Sequence, residues 1–147
     1  MDDAYDLERF VAAQDAGGTY ETALAELRRG RKTSHWIWFV FPQIAGLGWS
    51  PTSQRYAISS LDEARAYLAH PVLGPRLIEC AGIVSAAQGR TAEQIFGETD
   101  AMKLRSSVTL FLRAAPGEPV FAQVLSQYFD GVPDPATDRL IGAAPGG

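Results

Sequence analysis

The sequence predicts a mainly α fold: one compact helical domain over residues 1–142, followed by a short flexible tail at 143–147. Three observations carry that prediction, and together they give roughly seven or eight helices. Apolar residues recur at offsets of three and four along most of the chain. Helix-starting and helix-stopping residues bracket those runs, and no stretch alternates apolar and polar residues with the period of two that a strand requires. With 147 residues, 46 % of them apolar and 20 % charged, the chain is long enough to bury a core without a disulfide or a structural metal.

DLERFVAAQ puts Leu7, Phe10, Val11 and Gln14 on one stripe and opens the chain with a helix. A second helix runs from about Tyr20 to Arg29, with Thr19 placed to cap it, Ala23, Leu24 and Leu27 on its inner face, and Gly30 as its stop. Residues 36–41 are continuously apolar and bounded by Pro42, too short to assign as helix or strand. GLGWSPTSQRY then reads as a loop of the kind that carries function in many enzymes, so a minor short β element between 35 and 60 stays open. Ser60 to Glu63 is a capping box, opening a helix with Leu61, Ala64, Tyr67 and Leu68 turned inward and ending before Pro71. VLGPRLIECAGIVSAAQG supplies the next, with Leu77, Ile78, Ala81 and Val84 as its stripe and Gly89 as its stop. Thr91 to Gln94 repeats the capping pattern before a short helix closed by Gly97. Asp100 is placed to cap AMKLRSSVTLFLR, whose Ala101, Leu104, Val108 and Phe111 form a core face. Pro119 fits the first turn of a helix through Phe129, and Asp134-Pro135 opens a last short one.

Composition excludes several classes of function. A net charge of −4 argues against general nucleic-acid or membrane affinity, which calls for net positive charge. Cys80 is alone within an apolar segment and reads as a buried, inert thiol. His35 and His70 have no ligand-like spacing, so neither a metal site nor a cofactor is expected. The acidic start MDDAYDLERF has no signal-peptide character and no apolar run could span a bilayer, giving the expectation of a cytoplasmic protein. Phosphate-loop, dinucleotide-fingerprint, GxSxG and HExxH patterns are absent.

Two regions could carry chemistry. SHWIWFVFPQ (Ser34–Gln43) follows the basic run RRGRK and combines rings with polar ends at His35 and Gln43. Most of those rings must be core, because so much exposed aromatic surface would aggregate. Arginine beside an exposed ring is also the pairing that holds nucleotides, and against eleven arginines the chain has only two lysines, Lys32 and Lys103. On the helix from Asp100, the residues Asp100, Lys103 and Ser107 form a polar stripe with Ser106 beside it. That stripe reads either as a solvated cap, ion pair and serines, or as a group that binds phosphate or ribose.

GRKTSHWIWFVFPQ, SQRYAISSLDEARAYLAHPVLGPRL, IFGETDAMKLRSSVTLF and FDGVPDPAT together resemble the family DUF1810, small and mostly bacterial and fungal proteins, over roughly residues 4 to 141. The label calpastatin is often attached to that family, but calpain inhibitors are long, disordered and repetitive, unlike this chain. The resemblance implies the fold and no established activity. A weaker resemblance, through SSLDEAR and a downstream helix carrying Lys103, runs to the YbiA-like N-glycosidases of ADP-ribose and riboflavin metabolism.

Two functions are consistent with these residues. The first is a hydrolase cutting an N-glycosidic bond in a nucleotide or ADP-ribose-like substrate, whose oxocarbenium-like transition state needs a carboxylate, a proton donor and groups for phosphate. Asp100 is then the carboxylate, with Glu63 and Glu98 behind it, Lys103 tunes it or holds phosphate, and His35 donates the proton. Arg31, Lys32 and Ser107 grip phosphate or ribose, Trp36 or Trp38 stacks on the base, and Gln43, Tyr56 and Ser106 complete the ligand-binding set. The second is a non-catalytic module that binds a nucleotide or a protein through the aromatic cleft and the arginines alone. The expected partner is a small phosphorylated or nucleotide-like ligand.

Overall fold

In a computed structural model, which describes residues 4–87 and 89–142, all of the expected helices form and two short ones are added. In chain order they are α1 (Glu8–Asp15), α2 (Thr19–Arg29), α3 (Ile37–Val40), α4 (Pro51–Arg55), α5 (Leu61–Ala69), α6 (Leu73–Ala86), α7 (Ala92–Phe96), α8 (Glu98–Ala114), α9 (Pro119–Phe129) and α10 (Pro135–Gly142). The additions, α3 inside the aromatic stretch and α4 inside the Gly/Pro/Ser loop, have four and five residues, too few to reveal a period. The β element left open between 35 and 60 is reduced to a single parallel bridge between Ile44 and Ile58. The tail at 143–147 lies outside the described residues.

Helix α8 is the axis of the packing, with α5, α7, α9 and α10 against it, while α6 joins α2, α5 and α9 on the other side of the core. Its expected face is buried in full, since Ala101, Leu104, Val108 and Phe111 are all inaccessible. The aromatic stretch feeds the same core through Trp36, Ile37, Val40 and Phe41. Edge-to-face and tilted ring pairs link it outward, from Trp36 and Phe41 to Phe96, and from Phe39 through Tyr56, Phe10 and Tyr67 to Phe111. Cys80 is buried there, and burial pushes its thiol up to about 12. No helix of the described residues is long and apolar enough to cross a membrane.

Several helix ends differ from the sequence reading. Thr19 is the first residue of α2 rather than its cap: Gly18, in the left-handed region, occupies that position, and the Thr19 hydroxyl donates to the Ala16 carbonyl. Likewise α8 starts at Glu98 from Gly97, so Asp100 lies in the first turn and its carboxylate is free for other partners. Glu63 does not close the capping box at Ser60; its Oε1 accepts instead from the Ser59 amide, 2.8 Å, and hydroxyl, 2.7 Å. Ile78 faces solvent because Cys80, two positions on, points into the core, and α6 ends at Ala86, short of Gly89. Pro119 and Asp134 do begin their helices, the Asp134 carboxylate accepting from the Thr137 amide at 3.0 Å.

Two glycines of α6 make the packing testable. A Cβ at Gly74 would fall 2.0 Å from the backbone oxygen of Leu68, whereas one at Gly82 would meet nothing within 4 Å. Gly74→Ala is expected to destabilise the protein by about 1–3 kcal/mol through overpacking. Gly82→Ala should stabilise it by about 0.5–1 kcal/mol through helix propensity. Urea unfolding midpoints should move in opposite directions, and movement in the same direction would refute the α5–α6 packing.

Candidate functional site: an aromatic cleft beside a lysine-bridged aspartate

The site begins where α2 ends. Gly30, at φ 75°, carries the chain through the left-handed region, with its amide on the Leu27 carbonyl and the Arg31 amide on the Glu26 carbonyl. This double closure is the Schellman arrangement, and it reverses the chain over α2's last turn. The returning segment wraps the Glu26 carboxylate, which is only 3 % exposed. Thr33 N donates to it at 2.7 Å, Ser34 N at 2.9 Å and Trp36 Nε1 at 2.9 Å, and the Ser34 hydroxyl donates to its second oxygen. Burial alone would raise this acid's pKa, but the Ser34 hydroxyl, the Thr33 amide, the Trp36 indole and the Ser34 amide outweigh it and hold the pKa at about 2. Trp36 is thereby fixed as core and Lys32 is aimed across the turn.

A second element meets Lys32 there. Gly97, at φ 81°, ends α7 and begins α8 in one residue, so the chain turns a corner and presents the first turn of α8. Lys32 Nζ reaches Asp100 Oδ2 at 2.6 Å, and Lys103 Nζ lies 3.3 Å from Asp100 Oδ1. The Lys32 side chain is 5 % exposed and depends on that pairing, because an unpaired buried ammonium is costly. It also donates to the Ser34 carbonyl and lies 5.1 Å from the Trp36 ring. Lys103 sits 4.5 Å over the face of Trp38. Two cations and one carboxylate leave this group one net positive charge.

The third element is the loop between Pro42 and Ser59. Its two ends are tied by the Ala45 amide on the Ile58 carbonyl and the Ile58 amide on the Gln43 carbonyl, each 2.8 Å. Arg9 grips the far end through the carbonyls of Arg55 and Ala57, and it pairs with Glu63 at 3.1 Å. At the tip, Ser50 caps α4 and Gln54 Nε2 holds the Trp49 carbonyl at 3.1 Å. Trp49 itself is 87 % exposed, an unusual state for a large aromatic ring. Between this tip and α8 runs a cleft of about 310 Å³, walled by Trp38, Gln43, Leu47, Trp49, Thr99 and Lys103. Behind it, sharing Trp38, Gln43, Gly48 and Ser53, is a narrower chamber of about 110 Å³ that reaches Gln54 and Tyr56.

A family model described as "Protein of unknown function (DUF1810)" matches residues 4–141. The chain belongs to the DUF1810 family. The crystal structure of the conserved hypothetical protein Rv1873 from Mycobacterium tuberculosis is similar to this DUF1810 chain at 51 % identity and a TM-score of 0.93, covering 97 % of this chain and 100 % of that one. No curated protein matches the chain.

Against this geometry the residues singled out in the DUF1810 sequence divide into groups. Asp100, Lys103, Lys32 and Trp38 come together, and Gln43 and Tyr56 line the adjoining spaces. Ser107 lies on the same helix, fully buried, with its hydroxyl unpartnered, as is the buried Trp38 Nε1. Trp36 is 1 % exposed and offers no face for stacking. His35 is exposed and, among the described residues, forms no hydrogen bond or ion pair with Asp100 or Lys103. Glu63 belongs to the clamp with Arg9 and Ser59, Ser106 donates to Met102 O and Asp134 at α10, and Arg31 lines a separate hollow with Arg90. Glu26 and Trp49 were not among the residues singled out. Glu26 sits three positions after Ala23 on the inner face of α2, where an acid needs partners, and Trp49 was the one tryptophan of a glycine-rich loop.

The Glu26 knot gives a pH prediction. Its carboxyl falls from an ordinary 4.5 to about 2 on folding, so the charged form is favoured by the fold. Its contribution is complete above the ordinary carboxylate range and is lost as pH drops from about 5 towards 2, amounting to roughly 3 kcal/mol at neutral pH. Urea unfolding at pH 7 and pH 3 should show a large acid loss in the wild type and a clearly smaller one in Glu26→Gln. An equal loss in both would remove Glu26 as its source.

Proposed function

We propose that this protein binds a flat, anionic small molecule of nucleotide type between Trp38 and Trp49. The observation that carries this reading is Lys103, whose ammonium lies 4.5 Å over Trp38 in a cleft whose opposite lip is an 87 % exposed tryptophan. A ring entering the cleft gains stacking on either indole, and Lys103 meets its negative charge. Thr99, Ser50 and Ser53 supply hydroxyls along the same walls. The loop that carries Trp49 is tied at both ends, so little ordering entropy is lost on binding.

Hydrolysis of an N-glycosidic bond is the second reading, and Asp100 is what favours it. Its carboxylate is 19 % exposed and joined to Lys103, which lines the cleft, and a carboxylate is the group that stabilises positive charge on a ribose. Both its oxygens are already paired with lysines, and the proton donor expected at His35 is not joined to it. Binding therefore accounts for more of the geometry than turnover does.

The test is quenching of tryptophan fluorescence and thermal shift with AMP and ADP-ribose. A saturable quench with a raised melting temperature is expected, since a ligand at 100 times its Kd stabilises by about 2.7 kcal/mol. Loss of a stacking ring is worth about 1–3 kcal/mol, so Trp49→Ala should weaken binding roughly 5- to 150-fold without unfolding the protein. Lys103→Met should weaken anionic ligands and leave adenosine unchanged. Absence of any quench or shift would overturn the reading. Release of free base from ADP-ribose-type substrates by the wild type, abolished in Asp100→Asn while binding persists, would establish the hydrolase instead.

A further inference from the structure

A second cationic surface lies at the end of α2, built from residues outside the cleft. Among the described residues four arginine side chains form no hydrogen bond or ion pair, namely those of Arg29, Arg31, Arg90 and Arg139, and the first three share this surface. Arg28 beside them has only a long 3.9 Å contact to Glu79. Two open hollows adjoin there, of about 390 and 410 Å³, one edged by Arg28, Arg29 and Arg90 and the other by Arg31, Arg90 and Gln94. Among the described residues neither is lined by an acid. The Gln94 side chain accepts the Thr91 amide through Oε1, which leaves its NH2 group as a further donor.

The dipole of α2 accounts for Arg28 and Arg29 at its C-terminus. It does not account for Arg90, which arrives from the segment between α6 and α7 and lies against Gly30, its Nε 3.1 Å from where a Cβ would stand. Bringing a further unpaired guanidinium to three others is repulsive unless an anion joins them. The two hollows meet at Arg90, so the surface is long and shallow rather than a single socket. Guanidinium forks match phosphate oxygens in pairs.

We infer that this surface is a second anion site, for an extended phosphate-bearing anion that runs past Arg90 from Arg29 to Arg31. It is independent of the aromatic cleft and needs no base. Isothermal titration at low salt with tripolyphosphate, orthophosphate and a hexaglutamate peptide tests it. Tripolyphosphate is expected to bind at least about tenfold more tightly than either of the others, with an affinity that drops steeply as salt is raised. Arg90→Gln and Arg31→Gln should each weaken it several-fold, and both side chains are exposed and, among the described residues, unbonded, so these variants fold. Lys103→Met, which removes the cation of the cleft, should bind tripolyphosphate as the wild type does, and this separates the site from the cleft. No binding, an unchanged affinity in Arg90→Gln, orthophosphate binding as tightly as tripolyphosphate, or tighter binding of hexaglutamate would each overturn the inference.

Discussion

The site depends on a buried carboxylate. Among the described residues Glu26 forms no ion pair; backbone amides, a hydroxyl and an indole satisfy it instead. Neutral donors of this kind stabilise a charge and also fix a shape, because each must arrive from a set direction. Residues 33, 34 and 36 are therefore bound to one point, and the chain from Gly30 to Trp36 has little freedom left. Lys32 lies inside that closed turn, and its amide is held at 2.6 Å by the Ile95 carbonyl on α7. The knot at the end of α2 thus sets the position of a lysine that reaches α8.

Two other rigid pieces converge on that lysine. The Gly97 corner brings in Asp100 on the first turn and Lys103 on the second turn of a long helix whose Ala101, Leu104, Val108 and Phe111 face is buried. The Arg9–Glu63 clamp and the Ile44–Ile58 bridge hold the loop whose tip is Trp49. The floor of α3 is fixed from below, where Gln14 Nε2 and the Tyr67 hydroxyl both donate to the Phe39 carbonyl. An exposed aromatic ring on a loop so firmly tied is not explained by the fold, which would be better served by a polar residue there. Its cost is consistent with a role at the cleft.

The sequence carried the helices well because their signals are local. Ser60, Thr91, Gly97, Pro119 and Asp134 each mark a helix end by chemistry that neighbours within one turn complete. Where the sequence reading missed, either a neighbouring glycine took the cap or the deciding partner came from elsewhere in the fold. Gly18 displaced Thr19 as a cap, and Gly97 freed Asp100 for Lys32, which lies 68 positions earlier. The site was legible as a set of residue types, Lys103 beside Asp100 and tryptophans after a basic run, but not as an arrangement. Trp36 and Trp38 are two positions apart and equivalent in sequence; only Glu26 separates them, by taking the Trp36 indole into the core.

The same turn explains why RRGRK does not act as one basic patch. Arg28 and Arg29 stay on the helix, Gly30 reverses the chain, Arg31 is left outside, and Lys32 is drawn inside to Asp100. Adjacent cations are thus delivered to opposite environments, one solvated and unpaired, the other buried and paired. A buried lysine between a carboxylate and a ring contributes its field without being free to bind strongly itself. It neutralises one side of Asp100 and leaves Lys103, 23 % exposed and resting on Trp38, as the cation that faces the cleft. The net positive charge of that cluster is directed outward by packing rather than by any excess of basic residues. This is how a chain with net charge −4 can present a locally cationic, aromatic-walled cleft.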